Sequence, residues 1–249
     1  MKYFFDTEFI EGFKKPIKWL PTIGKFNKPY HSIQLISIGI VCEDGRTYYA
    51  ISSEFNPDDA SDWVKENVLY PIMRDNGYSK TLSNLHGYLE YGKQPIKRIQ
   101  KCFGGTNYQI ACDIMAFTMD GDGKGLRGWD GWTDEFFKAL KENGSNLEAP
   151  EFYAYYADYD WVAFCSLFGT MMDLPKGFPM YCRELKQMID DVAAAKIREV
   201  DEKTAGVSRF EASLSLIKAS PKYPEQKNEH NALDDAKWNF ELYKYIQEL

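Results

Sequence analysis

Two carboxylates near the N-terminus, Asp6 and Glu8, constrain this chain more than any other feature. They sit in Lys2-Tyr3-Phe4-Phe5-Asp6-Thr7-Glu8-Phe9, which reads as a β-strand over residues 2–9. Positions i and i+2 of a strand share a face, so both acids point the same way. At about 4 Å and an effective dielectric near 20, two such charges repel by roughly 4 kcal/mol. An edge strand leaves them in water. A central strand needs a protonated acid or a neutralising cation, and hard divalent ions suit carboxylate oxygens best.

The surrounding pattern predicts where that strand sits. Residues 33–42 read as a second strand, Asp44-Gly45 as a hairpin turn and residues 46–55 as a third strand, giving an antiparallel meander. A helix is expected over 58–73, with Asp58 or Asp59 as N-cap and Trp63, Val64, Val68 and Ile72 on its buried face. Further helices are predicted over 107–118, 132–142, 160–168 and 181–197, and a buried strand over 151–157. The last helix runs from about Asn231, where Leu233, Ala236, Phe240, Tyr243 and Ile246 recur in steps of three and four. Stretches 11–31, 77–105, 119–131 and 199–228 are rich in Gly, Lys, Asn and Pro and read as loops or insertions. This order predicts an α/β fold with a mixed sheet flanked by helices. One domain over 1–249 is expected, with insertions near 12–31, 119–149 and 190–228.

Composition narrows the classes of function. With 44% hydrophobic and 27% charged residues in 249, the chain is neither disordered, nor a fibre, nor a membrane bundle. No apolar run approaches the roughly 20 residues of a membrane span, and the N-terminus lacks a signal-peptide pattern, so no membrane association is expected. The five cysteines form no Cys-x-x-Cys pair, which predicts reduced thiols and a cytoplasmic protein. Lys plus Arg is 30 and Asp plus Glu is 37, a net charge of −7 that disfavours sequence-blind coating of duplex DNA.

Two later segments add acids. In Tyr156-Ala157-Asp158-Tyr159-Asp160-Trp161 an aromatic strand ends and an acidic pair leads into an apolar helix. One Asp can cap that helix while the other projects toward the first strand. In His230-Asn231-Ala232-Leu233-Asp234-Asp235, five helical residues would turn about 500°, leaving His230 and Asp235 about 140° apart. The two address one cleft only if His230 precedes the helix. The ordinary alternative is a surface His with first-turn acids facing the helix dipole.

Taken in order, Asp-x-Glu on a first strand, Asp at a strand-to-helix junction and His-x4-Asp on the last helix resemble the DEDDh group of 3′–5′ exonucleases, of ribonuclease H-like fold. The Leu35–Gly39 strand, Asp44-Gly45-Arg46 with Tyr48-Tyr49-Ala50, Glu54-Phe55 and Arg183-Glu184-Leu185 extend the likeness. They resemble a small bacterial branch first described from mycobacteria and regarded as exoribonucleases. The resemblance implies metal-binding acids at Asp6, Glu8, Asp160 and Asp235. Asp160 is preferred to Asp158 because it directly precedes the aromatic helix start, and Asp235 to Asp234 because of the family's five-residue step from His. Two divalent ions, Mg²⁺ or Mn²⁺, are implied as cofactors. His230 becomes the general base, a role that suits an imidazole near neutral pH. The implied reaction is hydrolysis of single-stranded RNA from the 3′ end to nucleoside 5′-monophosphates. The alternatives are a nuclease for single-stranded DNA or short oligonucleotides, and a catalytically silent nucleic-acid binder on the same fold. Glu8 is expected to position the terminal sugar and Phe9 to stack on the last base. Dimers are common among similar enzymes, so a homodimer is allowed for.

A polyanionic substrate conflicts with the net charge, and local charge answers part of the conflict. Residues 11–31 carry Lys14, Lys15, Lys18, Lys25 and Lys28 against Glu11, interleaved with Phe13, Trp19, Phe26 and Tyr30. Residues 93–101 carry Lys93, Lys97, Arg98 and Lys101. Cations mixed with aromatics suit a single strand. Lys14, Lys15 and Trp19 are therefore predicted to contact RNA, against the ordinary alternative of solvated loops. The stretch Asp120-Gly121-Asp122-Gly123-Lys124-Gly125 imitates a calcium loop but has Lys124 where a third oxygen ligand belongs.

Overall fold

β1 (Lys2–Lys14), β2 (Tyr30–Cys42) and β3 (Thr47–Ser52) form the antiparallel meander at the centre of a computed structural model, which describes residues 1–17, 19–78, 94–119, 149–200 and 207–249. Helix α1 is a continuous helical run from Asp62 to Tyr78. After it come α2 (Gln94–Phe103), β4 (Gly104–Gly105), α3 (Asn107–Met119), β5 (Glu151–Ala154) and α4 (Asp158–Phe168). The chain continues with β6 (Arg183–Glu184), α5 (Leu185–Val200), α6 (Val207–Lys218) and α7 (Ala232–Gln247). The strand order is β4-β3-β2-β1-β5-β6, with β1 antiparallel to β2 and parallel to β5. This mixed sheet flanked by helices is consistent with the expected ribonuclease H-like fold, and it makes the acid-bearing strand central.

Alternation along β1 sends its aromatics into different packing layers. Tyr3 and Phe5 pack with Ile110 and Ile114 of α3 and Phe164 of α4. Phe4 packs with Leu185 and Ile189 of α5 and Leu242 of α7. Ile10 meets Val68 and Ile72 of α1 and Ile96 and Ile99 of α2. Apolar surface of this kind contributes about 25 cal/mol per Å² buried, so each layer holds its helices firmly on the sheet.

Several predicted boundaries move. The outer parts of 11–31 are ladder rather than loop, since pairing continues from Glu11 opposite Ile33 to Lys14 opposite Tyr30. Much of that ladder is exposed, so no buried face gave it a hydrophobic period. The third strand stops at Ser52, and the fifth at Ala154, just before Tyr156 turns with φ +56°. Neither Asp58 nor Asp59 caps α1. Asn56 caps a short 3-10 turn, and the Ser61 hydroxyl accepts from Val64 N–H at 3.2 Å. The i→i+5 windings at Lys65–Leu69 and Arg74–Tyr78 add a residue per turn and shift the apolar stripe. Trp63, expected in the core, is 54% exposed: at 100° per residue it lies about 140° from Val68 and about 180° from Ile72, off their buried stripe.

The stretches 77–105 and 199–228, expected to be irregular, contain α2 and α6. Gln100 of α2 donates to Phe55 O at 2.9 Å. Ser213 of α6 donates to Ala193 O, and Tyr245 OH of α7 to Ile217 O. The described part of 190–228 thus holds the end of α5 and all of α6, packed on each other. The predicted helix 132–142, the 120–125 loop, Lys18 and Lys93 lie outside the described residues. No described helix is long and apolar enough to cross a membrane. All five cysteines are free.

Candidate active site

β5 pairs with β1 only as far as Phe4 opposite Tyr153. Beyond that point the backbone groups of β1 on this side need other partners. Asn239 of α7, 1% exposed, donates Nδ2–H to Phe5 O at 2.9 Å. Thr7 donates its N–H and its hydroxyl to Asp160 Oδ1, at 2.9 and 2.5 Å. A side chain from α7 and one from α4 thereby replace the missing strand beside Asp6 and Glu8.

Asp160 reaches β1 because of how α4 begins. Glu184, at the end of β6, accepts from Tyr156 N–H at 2.9 Å, Ala157 N–H at 2.7 Å and Lys186 N–H at 2.8 Å. Its carboxylate fixes the left-handed turn at Tyr156 that launches the helix. Asp158 is then exposed and Asp160 buried.

Helix α7 approaches from another direction. Its first turn lies on the backbone of β2 at Gly39, the residue opposite Asp6 in the ladder. A Cβ on Gly39 would stand 2.3 Å from Ala232 O and 2.4 Å from Leu233 Cα, so only glycine permits this contact. Asn231 caps the helix, its Oδ1 accepting from Leu233 and Asp234 N–H. His230 precedes the cap with φ +68°, a left-handed conformation that His and Asn adopt more readily than most residues. Its N–H donates to Asp235 Oδ2 at 2.8 Å, and Gln226 Nε2 donates to Asp235 Oδ1 at 2.7 Å. Asp234 turns instead to Asn228 and Lys237.

The result is a group of carboxylates. One oxygen each from Asp6, Glu8 and Asp235 lies within 4.8 Å of the others. Glu8 and Asp235 are buried and Asp6 is half-buried. Asp160 stands outside this trio, its Oδ1 taken by Thr7, but its charge acts on both Asp6 and Glu8. Burial, then the charges of Asp160, Glu8 and Asp235, pushes Asp6 well above the usual carboxylate range. Burial, then Asp235 and Asp160, pushes Glu8 up to about 8. Burial raises Asp160 to about 6 against the pull of the Thr7 donors. Asp235 is also raised by burial, opposed by Gln226 and the His230 N–H. Carboxylates held this closely do not all ionise unless a cation joins them. An all-oxygen donor set fits a hard divalent ion such as Mg²⁺ or Mn²⁺.

The His230 ring meets Trp63 edge to face, with centroids 4.8 Å apart and planes at 77°. Sequence reasoning missed Trp63 because a large apolar ring was expected in the core, although its helical angle sets it off the stripe of Val68 and Ile72. It also missed Gly39, Gln226 and Glu184, whose roles depend on contacts remote in sequence. A glycine in the middle of an apolar strand was the one available signal for close backbone approach.

The predicted substrate contacts are spread more widely. Phe9 is half-buried, its ring 5.9 Å from that of Tyr159. Lys14 Nζ lies 3.4 Å from Asp59 Oδ2. Lys15 and Trp19 are exposed, and Lys97, Arg98 and Lys101 lie exposed on α2.

No family model matches the chain. Two curated 3′–5′ exoribonucleases, from two strains of Mycobacterium tuberculosis, are each 30% identical to it over 191 residues, covering 77% of this chain and 75% of the relative.

Proposed function

The chain belongs to the family of these mycobacterial 3′–5′ exoribonucleases, and on that premise we propose that it hydrolyses single-stranded RNA from the 3′ end to nucleoside 5′-monophosphates. In this reading Asp6, Glu8, Asp160 and Asp235 hold two divalent ions, Mg²⁺ or Mn²⁺, and His230 is the general base. The observation that carries it is the carboxylate trio on β1 and α7, held beside the turn that bears His230.

The reaction balances simply. A water oxygen attacks the phosphorus of the last phosphodiester, and the bond from phosphorus to the 3′-oxygen breaks. The terminal nucleotide departs with its 5′-phosphate, and the 3′-oxygen takes a proton from solvent, leaving the shortened strand with a 3′-hydroxyl. Divalent ions supply Lewis acidity at the phosphoryl and leaving oxygens when bound. His230 accepts the proton of the attacking water, a step worth about 10²–10⁴-fold for a well-placed base. Asp235 links the two functions, since the carboxylate in the acid group also anchors the backbone of His230. Trp63 limits the swing of the imidazole. Glu8 addresses the terminal ribose, and Phe9, backed by Tyr159, stacks on the terminal base.

The test is digestion of 5′-labelled RNA and DNA of one sequence with Mg²⁺ or Mn²⁺, alongside chelator and Asp6→Asn controls. The expected result is a ladder shortening from the 3′ end on RNA, lost in both controls. Equal rates on DNA would widen the substrate to single strands in general. Binding without cleavage of either strand would overturn the enzymatic reading.

A further inference from the structure

Past the active site, β1 and β2 continue together as a two-stranded arm closed by residues 15–29. The arm loop has a built interior. Asn27 is 5% exposed with φ +52°, and its side chain accepts from Ile17 N–H at 2.8 Å and donates to Ile17 O and Leu20 O. The rings of the arm stand in solvent. Phe13 is 77% exposed, Trp19 84%, Phe26 58% and Tyr30 52%. An arm that holds four aromatics in water, two on its strands and two on its loop, has the character of a binding surface.

Two further observations say for what. The first is a file of rings that starts at the acids. Phe9, next to Glu8, lies 5.9 Å from Tyr159, which is next to Asp160. Tyr159 lies 6.3 Å from His31, and His31 lies 5.8 Å from Phe13 on the arm. Glu11 interrupts the file only chemically, since its carboxylate is engaged by His31 Nε2 at 2.8 Å and by Tyr159. The second is charge. Residues 13–30 contain Lys14, Lys15, Lys18, Lys25 and Lys28 and no acid, a local +5 on a chain of net −7. Lys14 is paired with Asp59, while Lys15, Lys25 and Lys28 are exposed.

We propose that this arm is a track for single-stranded RNA upstream of the 3′ end, with bases stacked along the ring file and phosphates met by Lys15, Lys25 and Lys28. The inference rests on the exoribonuclease reading of the acid site and adds a dependence on substrate length. Four strand residues from Phe9 to Phe13 span about 13 Å, the length of about four stacked nucleotides. A strand longer than that engages the arm, and a di- or trinucleotide does not reach its end. Anionic phosphates and flat bases together match cations interleaved with rings. The charge also excludes an acid-poor, purely apolar partner.

The experiment compares RNA of three and twelve nucleotides on the full chain and on two variants. One variant removes rings, Phe13→Ala with Trp19→Ala; the other removes charge, Lys15→Gln, Lys25→Gln and Lys28→Gln together. The ring variant is expected to raise KM for the 12-mer about tenfold and for the trimer by much less. The charge variant is expected to lower the salt slope of 12-mer binding by about 2, at roughly 0.7 per lost phosphate contact. Losses that are equal at both lengths, or absent, overturn the track. If the wild-type protein digests no RNA, the exoribonuclease reading fails separately. The track is then judged by fluorescence anisotropy of the 12-mer in EDTA: binding weakened by the variants supports it, and no binding overturns it. Variants that turn a dimer into a monomer on sedimentation while leaving RNA binding intact would make the arm a contact between copies and also overturn the proposal.

Discussion

The inner and outer halves of β1 are built from similar residues and behave in opposite ways. The inner half carries Phe4, Phe5, Asp6 and Glu8, and the outer half Glu11, Phe13 and Lys14. Phe4 and Phe5 are fully buried, whereas Phe13 is 77% exposed. Asp6 and Glu8 are pushed toward protonation, mainly by burial, whereas Glu11 is drawn the other way by its hydrogen bond to His31. What differs is the covering. Helices α4 and α7 lie over the inner half and supply Asp160, Asn239 and Asp235, while the outer half runs on past them, met only by single side chains such as Asp59 at Lys14 and Tyr159 at Glu11. Rings and acids of the same kinds thus form a cation-demanding site under cover and a solvent-facing contact surface without it.

The largest effect that could break this contrast is at Asp6. Asp6→Asn should lower the rate of RNA hydrolysis about 10³-fold, the scale of losing a key electrostatic group. It should also raise the melting temperature in EDTA, because folding no longer has to protonate a carboxyl buried beside Glu8, Asp160 and Asp235. A variant that loses both activity and stability would show that Asp6 serves the fold rather than the reaction.

The next test compares two glycines, one on each half of the hairpin. Gly39→Ala forces a Cβ against Ala232 and Leu233 and should cost about 3 kcal/mol in urea unfolding, with activity falling as α7 shifts. Gly12→Ala meets nothing within 4 Å and should change stability by no more than about 0.5 kcal/mol. Similar costs at both positions would remove the distinction between covered and bare ladder.

Two tryptophans sharpen it further. Trp63 faces His230 and Trp19 stands on the arm. Trp63→Ala should lower kcat about tenfold with little change in KM, the signature of a group that orients a base. Trp19→Ala should act on KM with long RNA. If both act on the same parameter, the division between chemistry and substrate holding is wrong.

The smallest effect is on stability against pH. Asp6, Glu8 and Asp160 have raised pKa values in the folded protein, to about 8 for Glu8 and about 6 for Asp160. Unfolded carboxyl groups titrate near 4. Between about pH 4 and about pH 8 the folded state therefore binds more protons than the unfolded state, and stability of the ion-free protein falls as pH rises through that window. Melting in EDTA should occur a few degrees lower at pH 8 than at pH 5.5. Saturating Mn²⁺ should remove the difference, because a bound cation replaces the protons.

Much of the site was legible residue by residue. The two-residue period of a strand put Asp6 and Glu8 on one face without any knowledge of the fold. The angular step of a helix required His230 to precede α7, and it lies just outside the Asn231 cap. Other features were not legible. Asp158 and Asp160 both head the same helix, and Asp234 and Asp235 both lie in one first turn. Local preference treats each pair alike. Only the donors of Thr7, Gln226 and the His230 backbone separate the members, by engaging one and not the other. Trp63 leaves the core because it stands about 140° around the helix from Val68, and its size and apolar character say nothing of which face it takes.

From its residues alone, the chain determined the kinds of group present, the faces they share within one strand or helix, and the order in which they occur. Those properties depend on local geometry, which a few neighbouring residues dictate. Tertiary structure alone decided which acids meet and which rings stay in water. Asp160 meets Thr7 across 153 positions of sequence, and Asn239 meets Phe5 across 234. Contacts over such separations are set by how α4 and α7 pack where β5 ends and Gly39 leaves room, and no local preference encodes that packing.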